Sequence, residues 1–187
     1  MKNILILFLL LLAYGCAASL RNVIPLKQCS ESVKYKISSS IYYDDSMIFD
    51  SFEYWNGLLN KKFFIYDGKI TNEQYYQDNK DGKDDYVFVF LDPRRDEKVR
   101  YCGLTHYNNH INGCLSNVSI EMKSQCFIEA GLSFESVLRH EIGHVLGLPN
   151  SRADDEDLMY YQIGTKQSDP PKTLSEKELK IIKKKYQ

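Results

Sequence analysis

Apolar and polar positions along the chain change period several times, and the changes divide it into short strands and longer helices. Val33, Tyr35, Ile37 and Ile41 fall on one parity, the period of a strand with one buried face. From residue 46 to 60 the period becomes helical, with Ile48, Phe49, Phe52, Trp55 and Leu59 on one face. Residues 63–66 form a second candidate strand ended by Asp67-Gly68, and residues 79–85 read as an acidic, glycine-containing loop. Residues 86–91 are a continuous apolar run, as expected for a strand covered on both faces. Two further short strands are predicted at 101–107 and 115–122.

A longer helix starts near Ser133, a good N-cap, with Leu132 and Val137 at the staple positions around it. Its pattern of Phe134, Val137, Leu138, Ile142, Val145 and Leu146 runs to Gly147, which suits a helix end. A final helix begins at Ser175, with Glu178 placed for a capping box and Leu179, Ile181 and Ile182 leading to Tyr186. Strands interleaved with helices predict an α/β or α+β sandwich.

Composition narrows the setting. The 187 residues suit one domain with a substantial core. A net charge of −1 with interspersed signs leaves no electrostatic footprint for nucleic acid. The N-terminus carries Lys2 followed by an apolar run over 4–13, the length of a signal sequence and too short to span a bilayer. Leu12-Ala13-Tyr14-Gly15-Cys16 is similar to a lipoprotein processing site with Cys16 as the lipidated residue, although Ala13 stands where leucine is usual. Lipidation outweighs the alternative, plain secretion with cleavage near Ala17 or Ala18. The expected organisation is a signal peptide over 1–15, a tether over 16–32 and one domain over 33–187. The protein is expected to be exported, anchored by lipid or secreted, and monomeric. Removing Cys16 from the five cysteines leaves Cys29, Cys102, Cys114 and Cys126, an even set that suggests two disulfides of open connectivity. No Cys-x-x-Cys pair supports a cysteine zinc site.

The chemistry concentrates at His140-Glu141-Ile142-Gly143-His144. Residues four apart share a helical face, so both imidazoles can meet one ion with Glu141 beside them. Zinc needs neutral nitrogen ligands, an open position for water and a nearby base. Glu141 is the expected general base of a metal-activated hydrolysis.

The run from His140 through Val145, Leu146, Gly147, Leu148 and Pro149 to Asn150 and Ser151 resembles the metzincin signature in its matrixin-like wording. Leu158-Met159-Tyr160 resembles the Met-turn, whose methionine forms an apolar floor beneath the metal, and residues 174–186 resemble the C-terminal matrixin helix. Residues 85–90 resemble the central strand, and Gly103-Leu104-Thr105 the edge strand that binds substrate. The resemblance covers nearly everything from residue 33 to the end. It implies a twisted, mostly parallel sheet of about five strands with one antiparallel edge strand, a long active-site helix and a C-terminal helix. It also implies Zn2+ as cofactor, a polypeptide substrate and endopeptidase activity, with His140 and His144 as metal ligands.

The family's third ligand is histidine or aspartate, and here that position is Asn150, a neutral and weaker oxygen donor. Three readings stay open: Asn150 ligates; Asp154 or Asp155 substitutes; or the domain is a degenerate protease that binds a peptide or protein partner. Tyr161 lies two residues after Met159, where astacin- and serralysin-like metzincins carry a tyrosine near the zinc. It offers a fifth ligand or an oxyanion donor, weighed against a plain rim tyrosine. His106 and His110 are four apart across Asn108-Asn109, which reads as a turn, so both are expected to be exposed. Asn79, Asp81 and Gly82 half-match a calcium loop, but Gln77 and Phe88 occupy its first and last ligand positions. Asn117-Val118-Ser119 fits a glycosylation sequon, and Lys183-Lys184-Lys185 reads as a solvated helix end.

Overall fold

The computed structural model of the protein describes residues 31–81, 86–92, 101–111, 114–124, 126–127, 131–152, 157–160 and 173–186, with backbone alone at 81, 108–111 and 114–117. Its strands are β1 (Val33–Ser38), β2 (Phe64–Ile70), β3 (Tyr86–Asp92), β4 (Gly103–Ile111) and β5 (Cys114–Lys123). Four helices lie among the described residues: α1 (Asp45–Leu59), α2 (Asn72–Asp81), α3 (Phe134–Val145) and α4 (Glu176–Tyr186). The sheet runs β2-β1-β3-β5-β4, parallel throughout except at the β4 edge, which pairs antiparallel with β5. This is the mostly parallel α/β sheet with one antiparallel edge strand that the resemblance implied.

The period of each strand decides which layer it feeds. Tyr35 and Ile37, Val87, Val89 and Leu91, and Val118, Ile120 and Met122 point to one face, where they meet α1, α3 and α4 in one core. Tyr86 and Phe88 point to the other face and pack against Tyr75 of α2. Helices on both faces thus explain the uninterrupted apolar run of β3. On the α1 side Ile48, Phe52, Trp55 and Leu59 are buried, each worth roughly 1.5–3 kcal/mol of transfer free energy.

Three local expectations change. Asp67-Gly68 does not end β2. Between Tyr35↔Tyr66 and Ile37↔Lys69 the longer strand accommodates one extra residue, and Gly68 takes φ 101°, so the pair makes a bulge inside the strand. Asn79 and Asp81, expected in a loop, belong to α2. That helix is capped by Thr71, whose hydroxyl accepts from the Gln74 N–H at 3.1 Å, and it carries the Gln74–Asp78 side-chain bond at 2.6 Å. Asn108-Asn109 is not a turn either, because both residues lie within β4, paired to β5.

Two buried polar devices hold the sheet in place. Asn56 of α1 donates to Phe64 O (3.0 Å) and accepts from Phe64 N (2.8 Å), pairing the first residue of β2. On the sheet face away from α3, the Lys123 ammonium binds both Asp92 and Glu121, and Glu121 bonds His106 Nε2 at 2.8 Å. These four side chains link β3, β5 and β4. Burial pulls the Lys123 pKa down, but the hydrogen bonds to Asp92 and Glu121 outweigh it and the net shift is upward. Of the expected disulfides, Cys102–Cys126 is formed with Cα atoms 5.2 Å apart, tying the start of β4 to the segment after β5. Cys29 and the Cys114 side chain lie outside the described residues.

Candidate metal centre

Helix α3 is built to hold His140 and His144 in one register. The Ser133 hydroxyl caps it by accepting from the Ser136 N–H at 3.2 Å, and Leu132 and Val137 are both buried at the staple positions. Phe134, Val137, Leu138, Ile142 and Val145 bury its apolar stripe. At its end Leu146 is the cap residue and Gly147 takes φ 78°, a left-handed conformation that turns the chain out of the helix at little cost.

His140 and His144 present their rings 4.6 Å apart, centroid to centroid, and nearly perpendicular at 88°. Each Nδ1 faces a backbone carbonyl: Leu158 O at 2.7 Å from His140 and Leu148 O at 2.8 Å from His144. A carbonyl only accepts, so each Nδ1 carries a proton, and in the neutral tautomer so fixed the lone pair lies on Nε2. Burial and the neighbouring His144 push the His140 pKa down to about 3, so its imidazole is neutral. The Asn150 side chain, which is exposed, lies near enough to the His140 ring to oppose that downward shift. Two imidazoles, each oriented by a carbonyl behind it, are a donor set suited to zinc. The residues present fit a zinc ion.

Met159 is completely buried against α3, and a Cβ on Gly143 would fall only 2.5 Å from its Sδ. The Ser151 N–H bonds Met159 O at 2.5 Å, joining the chain that leaves α3 to the segment that carries Met159. Glu141 is buried against β4, with Thr105 Oγ1 at 2.7 Å from its Oε2. Burial raises the Glu141 pKa, opposed by His144 and by the Thr105 hydrogen bonds. Along β4, Gly103, Thr105 and Tyr107 face α3, whereas Leu104 pairs with Glu121 and belongs to the opposite face.

The structure therefore brings together His140, Glu141, His144, Asn150, Met159, Gly103 and Thr105. Asp154, Asp155, Tyr161 and Cys16 lie outside the described residues, as does Gly82 of the half-matched calcium loop. His106 is not a simple exposed loop residue: it is held by Glu121 on β4, on the face turned away from α3. Ser119 of the sequon is buried on β5. Lys185 is not freely solvated, since its Nζ donates to Leu146 O at 2.6 Å and burial lowers its pKa to about 8. Of the apolar residues named on α4, Ile182 and Tyr186 are buried and Ile181 is exposed. Sequence reasoning also missed the donors that reach α3 from elsewhere, namely Trp55 Nε1 on Arg139 O (3.0 Å) and the Tyr107 and Tyr186 hydroxyls on His144 O (2.7 Å) and Leu146 O (2.9 Å). Aromatic residues among many carry no local sign of such a role.

Comparison with known proteins agrees with this geometry. The family model for matrixins (Peptidase_M10) matches residues 24–187. No curated protein sequence matches the chain. Among solved structures, metalloproteinase-II from Bacteroides fragilis is similar at a TM-score of 0.54 and 18% identity, over 84% of this chain and 54% of that one. This chain thus spans about half the length of the Bacteroides protein. Archaemetzincin from Methanopyrus kandleri is similar at a TM-score of 0.52 and 11% identity, over 84% of this chain and 97% of that one. At these identities the structural likeness concerns the fold, and it is the fold of metalloproteinases. With the family match running from ahead of β1 to the last residue, the chain belongs to the matrixin family of peptidases.

Proposed function

We propose that the protein is a zinc-dependent endopeptidase that hydrolyses polypeptides of the cell envelope or the extracellular space. The observation that carries this reading is the locking of His140 and His144 in one tautomer by Leu158 O and Leu148 O, with Glu141 buried beside them. In this reading His140 and His144 hold the ion through Nε2 and Asn150 supplies its carboxamide oxygen as third ligand. Zinc supplies Lewis acidity toward the scissile carbonyl and lowers the pKa of water to about 7.

The remaining work belongs to the chain. The Glu141 carboxylate takes a proton from the attacking water and passes it to the leaving nitrogen as the C–N bond breaks. Burial raises its affinity for that proton, which suits a base that must also act as an acid. Met159 fills the floor and fixes the segment whose Leu158 carbonyl orients His140. β4, whose outer edge is unpaired among the described residues, offers backbone groups along which an extended substrate lies near Glu141. Export is supported by the apolar run over 4–13 and by the Cys102–Cys126 disulfide. We further propose a lipid on Cys16 and a monomeric catalytic domain.

The test is purified protein assayed for bound zinc and for cleavage of casein or a peptide library. The wild type is expected to bind one zinc and to lose cleavage to a chelator, and Glu141→Gln to keep the metal and lose cleavage. Wild-type cleavage by Glu141→Gln would refute the mechanism. A wild type that takes up a peptide without cutting it would identify a binding module instead.

A further inference from the structure

Glu141 reaches its position only because β4 is shaped to receive it. A Cβ on Gly103 would lie 2.7 Å from Glu141 Cγ, 2.8 Å from Oε1 and 2.8 Å from Val137 Cγ1. The Glu141 side chain therefore occupies the space that any other residue at 103 would fill. One pleat further along the same face, Thr105 Oγ1 lies 2.7 Å from Glu141 Oε2 and 3.1 Å from the Glu141 backbone oxygen. A hydroxyl has a single proton, and the shorter bond to a carboxylate is the stronger one. The backbone oxygen already has the helix ladder. Thr105 is β-branched and sits in a strand, so its χ1 is stiff and the hydroxyl is held rather than free to swing.

We infer that Thr105 is the positioning residue of the general base: its hydroxyl pins one carboxylate oxygen of Glu141 while the Gly103 cradle receives the other. The inference rests on the proposed role of Glu141 and deepens it. β4 also offers the backbone along which the substrate is proposed to lie. A single strand then sets both the register of the scissile peptide and the place of the base that serves it. Misplacing a reacting group by about 1 Å costs on the order of a hundredfold in rate, so a strand common to both has a direct catalytic consequence.

The test uses the full-length, zinc-loaded chain with Thr105→Val, which keeps the shape and removes the donor, Thr105→Ser, which keeps the donor, and Glu141→Gln. Each is measured for zinc content, Tm, kcat and KM on one peptide substrate. Thr105→Val is expected to keep one zinc and an unchanged KM while kcat falls about ten- to a hundredfold, the worth of a hydrogen bond to a charged group. Thr105→Ser is expected to restore kcat to within a few-fold of wild type. Gly103→Ala, read in the same way, is expected to lower kcat with zinc retained, which keeps the test open if Thr105→Val folds poorly. A crystal structure of either impaired variant should show the Glu141 carboxylate out of its cradle. Wild-type kcat in Thr105→Val or Gly103→Ala, or a serine variant as impaired as the valine variant, overturns the inference. Should those variants be normal while Glu141→Gln is inactive, only the role of Thr105 falls. Should Glu141→Gln itself cleave, the underlying base assignment falls with it.

Discussion

Gly143→Ala is a substitution whose sign is decided by two opposing magnitudes. Gly143 lies inside α3, between Glu141 and His144, where alanine is worth about 0.8–1 kcal/mol over glycine in helix propensity. The new methyl, however, would meet Met159 Sδ at 2.5 Å, Met159 Cε at 3.1 Å and Trp55 Cζ2 at 3.1 Å. Met159 and Trp55 are fully buried, so neither can simply move into solvent. Overpacking of this kind costs about 1–3 kcal/mol. The steric term wins, and a net loss of up to about 2 kcal/mol is expected, or up to roughly 8 °C in Tm for a chain of this size. The double variant with Met159→Ala isolates the cause. Met159→Ala alone should cost about 2–5 kcal/mol, but in that background the alanine at 143 gains room and becomes neutral or stabilising by up to about 1 kcal/mol. Thermal and denaturant unfolding of the apo-proteins, kept in chelator, give all four corners of the cycle. A Gly143→Ala chain that is more stable than wild type, or an equal effect in both backgrounds, would refute the reasoning.

Three further outcomes follow from particular contacts. Asn150→His replaces a neutral oxygen donor by imidazole and should tighten zinc binding roughly tenfold or more in a chelator-competition titration; unchanged affinity would show that Asn150 is not the third ligand. Asn56→Ala strips both partners from the buried Phe64 amide and carbonyl and should cost about 2–4 kcal/mol, seen as a lower urea midpoint with an unchanged slope. Lys123→Met leaves Asp92 and Glu121 buried without their cation and should cost about 3–5 kcal/mol, much of it recovered when Asp92→Asn and Glu121→Gln are added; a lone Lys123→Met as stable as wild type would count against the network.

What could be read from the chain divides by the range of the interaction. The Ser133 cap, the Ser175–Glu178 box and the His140/His144 spacing are local, and each appears in the structure where periodicity placed it. The parallel sheet with its antiparallel edge came through the family resemblance, since pairing partners leave no local mark. α2 escaped because its only well-buried apolar residue is Tyr75, so the helix has no stripe to detect and rests on its cap and polar pairs. Asp67-Gly68 shows the limit of dipeptide reasoning. The positive φ at glycine that would close a hairpin also makes a bulge, and only the neighbouring β1 decides between them. Leu148 and Leu158 act through backbone carbonyls, which have no side-chain signature. Thr105 lies 36 residues from Glu141, so nothing in the local pattern joins a threonine on a strand to a glutamate on a helix.

The same long-range contacts explain why the fold as a whole, rather than the five-residue motif, defines the site. Three carbonyls along α3 and its cap receive donors from other elements. Trp55 of α1 binds Arg139 O, Tyr107 of β4 binds His144 O, and Lys185 and Tyr186 of α4 both bind Leu146 O. Carbonyls within the helix already serve its ladder, so these donors use a second lone pair and add restraint to a helix that would form without them. At Leu146 the case differs, because the last carbonyls of a helix have no intrahelical partner and a buried one must find a donor elsewhere. Two donors there hold the C-terminal end of α3 against α4, while Trp55 and β4 hold the turns that carry His140, Glu141 and His144. A metal site needs its ligands held to within about 0.5 Å, and two histidines on an isolated helix are free to roll and slide. Pinning that helix from α1, β4 and α4 removes those freedoms before any metal arrives. The price is the burial of Lys185, whose pKa falls to about 8 for want of water around it.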